Sequence, residues 1–198
     1  EENTNMIESI KEKVFDIDER ELKKISSLTT PNNVLAISHC KKEESACFDN
    51  NLILMLDSIN NPGNLGTIIR VAAWFGIKDI VCSNDTVDCY NSKVLQATMG
   101  SIFHINIVYT DLNAFLLQVP KSYNVYGTVL KEGKDIYKED LSKEGIIVIG
   151  NESHGISEKI KQFINRPLTI PTFSKNKDVE SLNASIATAI VISEFKRR

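Results

Sequence analysis

Leu52-Ile53-Leu54-Met55-Leu56 is an unbroken apolar run, and it limits the possible folds more than any other feature of the chain. A strand with one face in water alternates apolar and polar residues, whereas a continuous run belongs to a strand buried on both faces. The theme returns at Ile80 to Cys82, Phe103 to Val108, Val125 to Leu130 and Ile146 to Ile149, and a short strand is expected from Pro167 to Ile170. Helical patterns lie between these runs: Leu65 to Phe75 closed by Gly76, Ser92 to Met99 closed by Gly100, Asp111 to Val119 before Pro120, and Ile156 to Ile164. Both glycines fall where a helix end takes a left-handed residue. This alternation predicts an α/β fold, a parallel sheet flanked by helices. Ligands of such sheets bind beyond the carboxyl ends of the strands.

The chain is expected to divide into residues 1–48 and residues 49–198. The first part is polar and too poor in apolar residues for a core of its own. It predicts helices at Asn5 to Lys13 and Glu19 to Leu28, short strands at Val14 to Ile17 and Val34 to Ser38, and a polar linker from Lys41 to Asn51. That pattern suits either a partial N-terminal α/β domain whose front is absent or an extension packed on the main domain. With 23 Lys and Arg against 26 Asp and Glu, the net charge of −3 exerts no global pull toward nucleic acid. No apolar run approaches membrane-spanning length, and the first residues carry no signal-like segment. A cytoplasmic chain without a membrane partner is therefore expected. Cys40, Cys47, Cys82 and Cys89 form no C-x-x-C pair, and His39, His104 and His154 form no H-E-x-x-H. These read as core or surface thiols rather than metal ligands.

Three segments carry polar chemistry at strand ends. The first is Asp57-Ser-Ile-Asn-Asn-Pro-Gly-Asn64-Leu-Gly66-Thr-Ile-Ile-Arg70. Asn64 stands at a helix start, Gly66 permits close backbone approach, and Arg70 is either an exposed residue of the polar face or a partnered one. The second is Gly150-Asn151-Glu152-Ser153-His154-Gly155, a carboxylate between glycines; Glu152 is a natural partner for Arg70, and His154 is an orienting or surface residue. The third runs from Ile170-Pro171 to Ser181-Leu182-Asn183-Ala184-Ser185. Its helix is expected to turn Val179, Leu182, Ile186 and Ile190 inward, with Ala184, Ala187 and Ala189 allowing burial on more than one side. Ser181, Asn183 and Ser185 read either as N-caps or as the lining of a polar site.

In order, N-x-P-x-N-x-G-x-x-x-R, then G-N-E-x-x-G, then I-P…S-L-N-x-S resembles the three motifs of the SpoU (TrmH-like) RNA ribose 2′-O-methyltransferases of the SPOUT class. The resemblance runs from about Leu52 to Phe195. It implies a C-terminal trefoil knot, a homodimer, and S-adenosylmethionine held in the knot by Thr128, Leu130, Gly150, Asn151, Ile170, Leu182 and Ala184. It implies methyl transfer to a ribose 2′-hydroxyl of RNA, ribosomal RNA favoured over transfer RNA. Arg70 would contact the reacting ribose or its phosphate, Glu152 would orient Arg70, and Asn64, Ser181 and Asn183 would position the ribose. Residues 1–48 resemble the tail of the substrate-binding domain that many members carry. Trp74 and Phe75 are candidates for the dimer interface, with Trp74 alternatively a core residue. A non-catalytic RNA-binding or cofactor-sensing dimer on the same fold is the competing reading, opposed by the intact set Asn64, Arg70, Glu152, Ser181 and Asn183. An α/β domain for another small ligand is a third, separable by calorimetry with S-adenosylhomocysteine.

Overall fold

The apolar runs at Leu52, Ile80 and Ile146 become strands buried at every position, as a sheet covered on both faces allows. The computed structural model describes residues 14–40, 45, 46, 48, 51–174 and 181–197, and the chain divides into two units between Cys40 and Lys41. In the second unit the strands are β1 (Leu52–Leu56), β2 (Asp79–Ser83), β3 (Asn106–Thr110), β4 (Val125–Thr128), β5 (Lys134–Asp135), β6 (Gly145–Ile149) and β7 (Arg166–Thr169). They form one sheet in the order β3-β2-β1-β6-β4-β7-β5, and every pairing is parallel. The register β1 to β6, Leu52 opposite Gly145 through Leu56 opposite Ile149, sets the ends of these two central strands side by side.

The helices are α1 (Glu19–Ile25), α2 (Pro62–Trp74), α3 (Ser92–Thr98), α4 (Leu112–Leu117), α5 (Glu158–Lys161) and α6 (Ala184–Arg197). Alternate strand residues point to opposite faces, and the core divides accordingly. On one face Leu52, Leu54, Leu56, Ile80 and Ile147 pack with Leu65, Ile68 and Ile69 of α2, Val94 of α3, and Val191, Ile192 and Phe195 of α6. On the other, Ile53, Met55, Val81, Ile146 and Val148 pack with Leu112 and Leu116 of α4 and with Ile156 and Ile160. Gly66 belongs to the first face: a Cβ there would lie 2.5 Å from Ala97 Cβ and 2.8 Å from the Val94 carbonyl. The close approach that glycine permits is therefore of α3, not of a ligand.

Several expected elements differ. The run from Phe103 is split: Ser101–His104 is a 3₁₀ turn, and β3 begins only at Asn106. In the first unit α1 forms where expected, started by a capping box in which Asp18 accepts from Arg20 and Glu21 N–H groups and Glu21 accepts from Asp18 N–H. Neither Val14 to Ile17 nor Val34 to Ser38 is a strand; both have strand-like composition, but a strand exists only with a ladder partner, and they have none among the described residues. The helix expected at Asn5 to Lys13 lies outside the described residues. Within the expected linker, Phe48 packs its ring 5.3 Å from Phe115, and the Tyr123 hydroxyl donates to its carbonyl at 2.9 Å.

The last helix is turned relative to expectation. Its buried residues are Ala184, Ser185, Thr188, Val191, Ile192, Glu194 and Phe195, while Ile186 is 51% exposed and Leu182 precedes the helix at 44%. Val179 lies outside the described residues. Apolar residues occupy both sides of this segment, so periodicity finds an apolar face without deciding which one meets the sheet.

Candidate functional site

The site begins with how α2 starts. Asn61 is its N-cap, accepting from Gly63 N–H at 2.9 Å and Asn64 N–H at 3.1 Å, with Pro62 in the first helical position. This fixes Asn64 in the first turn, at the carboxyl end of β1. Its amide then works in two directions. Nδ2 donates to the Glu152 carboxylate, and Oδ1 accepts from Asn183 Nδ2 at 2.9 Å. The three motif segments, 88 and 119 residues from Asn64 in sequence, thus meet in one hydrogen-bonded chain.

Asn183 serves both alternatives read from the sequence. Its Oδ1 caps α6, accepting from Ser185 N–H at 3.0 Å, Ile186 N–H at 3.3 Å and Ser185 Oγ at 2.6 Å, while its NH2 group faces Asn64. Ser181 lies exposed just upstream.

Glu152 projects from a closed loop after β6. Asn151 and Gly155 exchange backbone hydrogen bonds of 3.0 and 2.8 Å, and Gly155 takes φ +69° to complete the turn. A Cβ on Gly150 would collide with the Gly155 and Ile156 backbone, so glycine is required by loop closure. The Asn151 side chain is spent on this architecture: Oδ1 accepts from Ser153 N–H at 2.8 Å and His154 N–H at 3.3 Å, and Nδ2 donates to the Ser58 carbonyl at 2.7 Å. His154 is exposed.

Arg70 is not the partner of Glu152. Its guanidinium is exposed and makes no ion pair among the described residues. The reason is helical geometry: Arg70 stands about 9 Å further along α2 than Asn64 and about a third of a turn round it. Trp74, one turn beyond, is 85% exposed and so is not a core residue.

The ends of β6, β4 and β7 are adjacent in the sheet, which gathers Gly150, Thr128 and Ile170. Thr128 Oγ1 donates to the Val148 carbonyl at 3.1 Å, and Val129 N–H donates to the Leu168 carbonyl at 2.9 Å. Ile170 is half-buried against the core, and Leu130 is 67% exposed. Ala184 is buried, and Leu182, two residues before it, is not. Such apolar groups left open beside strand-end backbone are what a planar heteroaromatic ligand requires.

Two contributors escaped sequence reasoning. Asp57 accepts from Ser157 N–H at 2.7 Å and ties the β1 end to the start of α5. Ser58 adopts φ +60° and bonds both to the β2 end and to Asn151; a positive φ at serine has no sequence signal. The cap Asn61 also escaped sequence reasoning, although it carries a sequence signal: Asn-Pro suits an N-cap followed by a first-turn proline. Among the described residues no three His, Cys, Asp or Glu groups cluster to hold a metal, and no helix is long and apolar enough to cross a membrane.

Residues 51–193 match the SpoU rRNA Methylase family. A 23S rRNA (guanosine(2553)-2′-O)-methyltransferase of Bacillus subtilis is 30% identical over 173 residues, 87% of this chain and 68% of that protein. A solved structure from Porphyromonas gingivalis, assigned to the TrmH family of RNA methyltransferases, superposes with TM-score 0.79 at 34% identity, covering 93% of this chain and 72% of that one. An AdoMet-bound rRNA methyltransferase from Sinorhizobium meliloti gives 0.68 at 31% identity, over 74% and 56% of the two chains. With its three motif segments converging at Asn64 and the matched region spanning nearly the whole sheet unit, the chain belongs to the SpoU methylase family.

Proposed function

We propose that this chain transfers the methyl group of S-adenosylmethionine to a ribose 2′-hydroxyl of RNA, with ribosomal RNA as the favoured substrate. The carrying observation is the chain Glu152–Asn64–Asn183, which turns three separate strand-end segments into one polar surface. Thr128, Leu130, Gly150, Asn151, Ile170, Leu182 and Ala184 are the proposed cofactor residues. Leu130, Ile170 and Leu182 supply apolar walls, the strand-end backbone supplies hydrogen bonds, and Asn151 acts through the loop it closes. S-adenosylmethionine, when bound, supplies an electrophilic methyl on a positively charged sulfur.

The protein's own task is alignment and charge. A guanidinium is always protonated, so Arg70 is no base; exposed beside the site, it clamps the phosphate next to the target ribose and stabilises charge developing on the 2′-oxygen. Asn64, Ser181 and Asn183 hold the ribose, and Glu152 orients Asn64. We further propose the trefoil knot, because β7 lies between β4 and β5 while residues 129–133 join those two strands across its end. Residues 1–48 are proposed as the tail of an RNA substrate-binding domain, and the active form is a homodimer.

The test is transfer of labelled methyl from S-adenosylmethionine to ribosomal and transfer RNA, with the mark mapped as 2′-O-methyl. Arg70→Ala is expected to abolish transfer while S-adenosylhomocysteine binds nearly as before by calorimetry; near-normal turnover would remove Arg70 from this role.

A further inference from the structure

Ser58 is not one of the residues that define the three motif patterns, yet its carbonyl holds Asn151 of the second, while its N–H and hydroxyl are held from the β2 end. It is half-buried and sits at φ +60°, one of three non-glycine residues with positive φ among the described residues. Residues other than Gly, Asn and Asp rarely adopt this conformation, and where they do the surroundings over-determine it. Here they do. Ser58 N–H donates to Ser83 Oγ at 2.8 Å, Ser58 Oγ donates to Asp85 Oδ2 at 2.6 Å, and the Ser58 carbonyl accepts from Asn151 Nδ2 at 2.7 Å.

The consequence runs directly to the site. Asp85 and Ser83 grip Ser58 from the β2 end, and that grip keeps its carbonyl aimed at Asn151. With Nδ2 so held, Asn151 turns Oδ1 to the N–H groups of Ser153 and His154. This fixes the turn from which Glu152 meets Asn64. We propose that Ser58, gripped by Asp85, is a positioning residue for methyl transfer: it latches the Glu152 loop to the β1 end. The hydroxyls of Ser58 and Ser83 hold the Asp85 carboxyl below its usual range, so the grip is a charge-assisted one at neutral pH. The inference rests on the transferase reading above for its kinetic part only.

Ser58→Ala would keep the backbone strain and could unfold the turn, so Ser58→Gly is the useful variant: glycine takes positive φ freely. It is expected to melt no lower than the unsubstituted protein. Turnover should fall about tenfold, the scale of one lost charge-assisted hydrogen bond. The KM for RNA and the affinity for S-adenosylhomocysteine should stay within about twofold on the same bookkeeping. Asp85→Ala should reproduce the loss, Asp85→Asn should restore it because an amide oxygen still accepts, and Ser58→Gly with Asp85→Ala should be no worse than either alone. Independently of activity, amide hydrogen exchange across residues 150–155 should accelerate in Ser58→Gly with the rest of the sheet unchanged. Unchanged exchange there overturns the latch, whatever the kinetics. So does full turnover in Ser58→Gly, or a loss that only follows a lowered melting temperature. Absence of methyl transfer in the unsubstituted protein refutes the transferase reading and leaves the exchange experiment to decide the latch.

Discussion

An amide side chain carries a donor and an acceptor on one carbon, and Asn64 uses both, giving its NH2 to Glu152 and its oxygen to Asn183. No other residue type of this size does the same. Asn64→Asp keeps the shape and removes the donor, setting two carboxylates against each other. Its turnover is expected to fall about a hundredfold, the upper end for a lost bond to a charged group, with S-adenosylhomocysteine affinity little changed. Single-turnover methyl transfer checks this, and a fall of less than about threefold would show that the link between the motif segments is dispensable. Asn64, Glu152 and Asn183 could be selected from sequence because their residue types and order are distinctive. Their pairing could not: Glu152 reads most simply as the partner of the nearest cation, and only the pitch of α2 shows that Arg70 is out of place for it. Ser58 was illegible for a different reason, since its importance lies in a backbone angle that its side chain does not announce.

At the scale of elements, the legible features were those whose sequence leaves one physical solution. The runs in β1, β2 and β6 are buried at every position, and nothing but a covered parallel sheet accommodates them. Helix α6 was ambiguous because it is apolar on two sides. The inner stripe, Ala184 to Phe195, contains Thr188, fully buried by donating its hydroxyl to the Ala184 carbonyl at 2.7 Å, a solution that hydropathy counts against. Gly66 shows the same limit, because the sequence marks a close approach without naming what approaches. Since α3 backbone occupies that space, Gly66→Ala is expected to destabilise the protein by about 1–3 kcal/mol through overpacking, despite alanine's better helix propensity. Urea unfolding monitored by circular dichroism measures it; a neutral or stabilising result would mean that α2 and α3 are free to separate.

For the whole molecule, the question left by α2 and α6 is what covers their outer faces. Trp74 is 85% exposed and Ile186 51%, on two helices that pack together through their inner sides. An indole left in water forfeits about 4 kcal/mol of burial, a cost that interfaces, which are enriched in aromatic residues, recover. A second copy of this chain meeting the same face would remove it from both partners, as an isologous interface does. The expectation is a dimer by sedimentation at micromolar concentration, and Trp74→Glu should weaken it about thirtyfold or more, as loss of a central aromatic anchor does. Because Trp74 contributes nothing to the inner core, the variant should keep its fold and its S-adenosylhomocysteine affinity. A monomeric unsubstituted protein, or a Trp74→Glu dimer of unchanged strength, would place the interface elsewhere and leave the exposed indole to meet RNA instead.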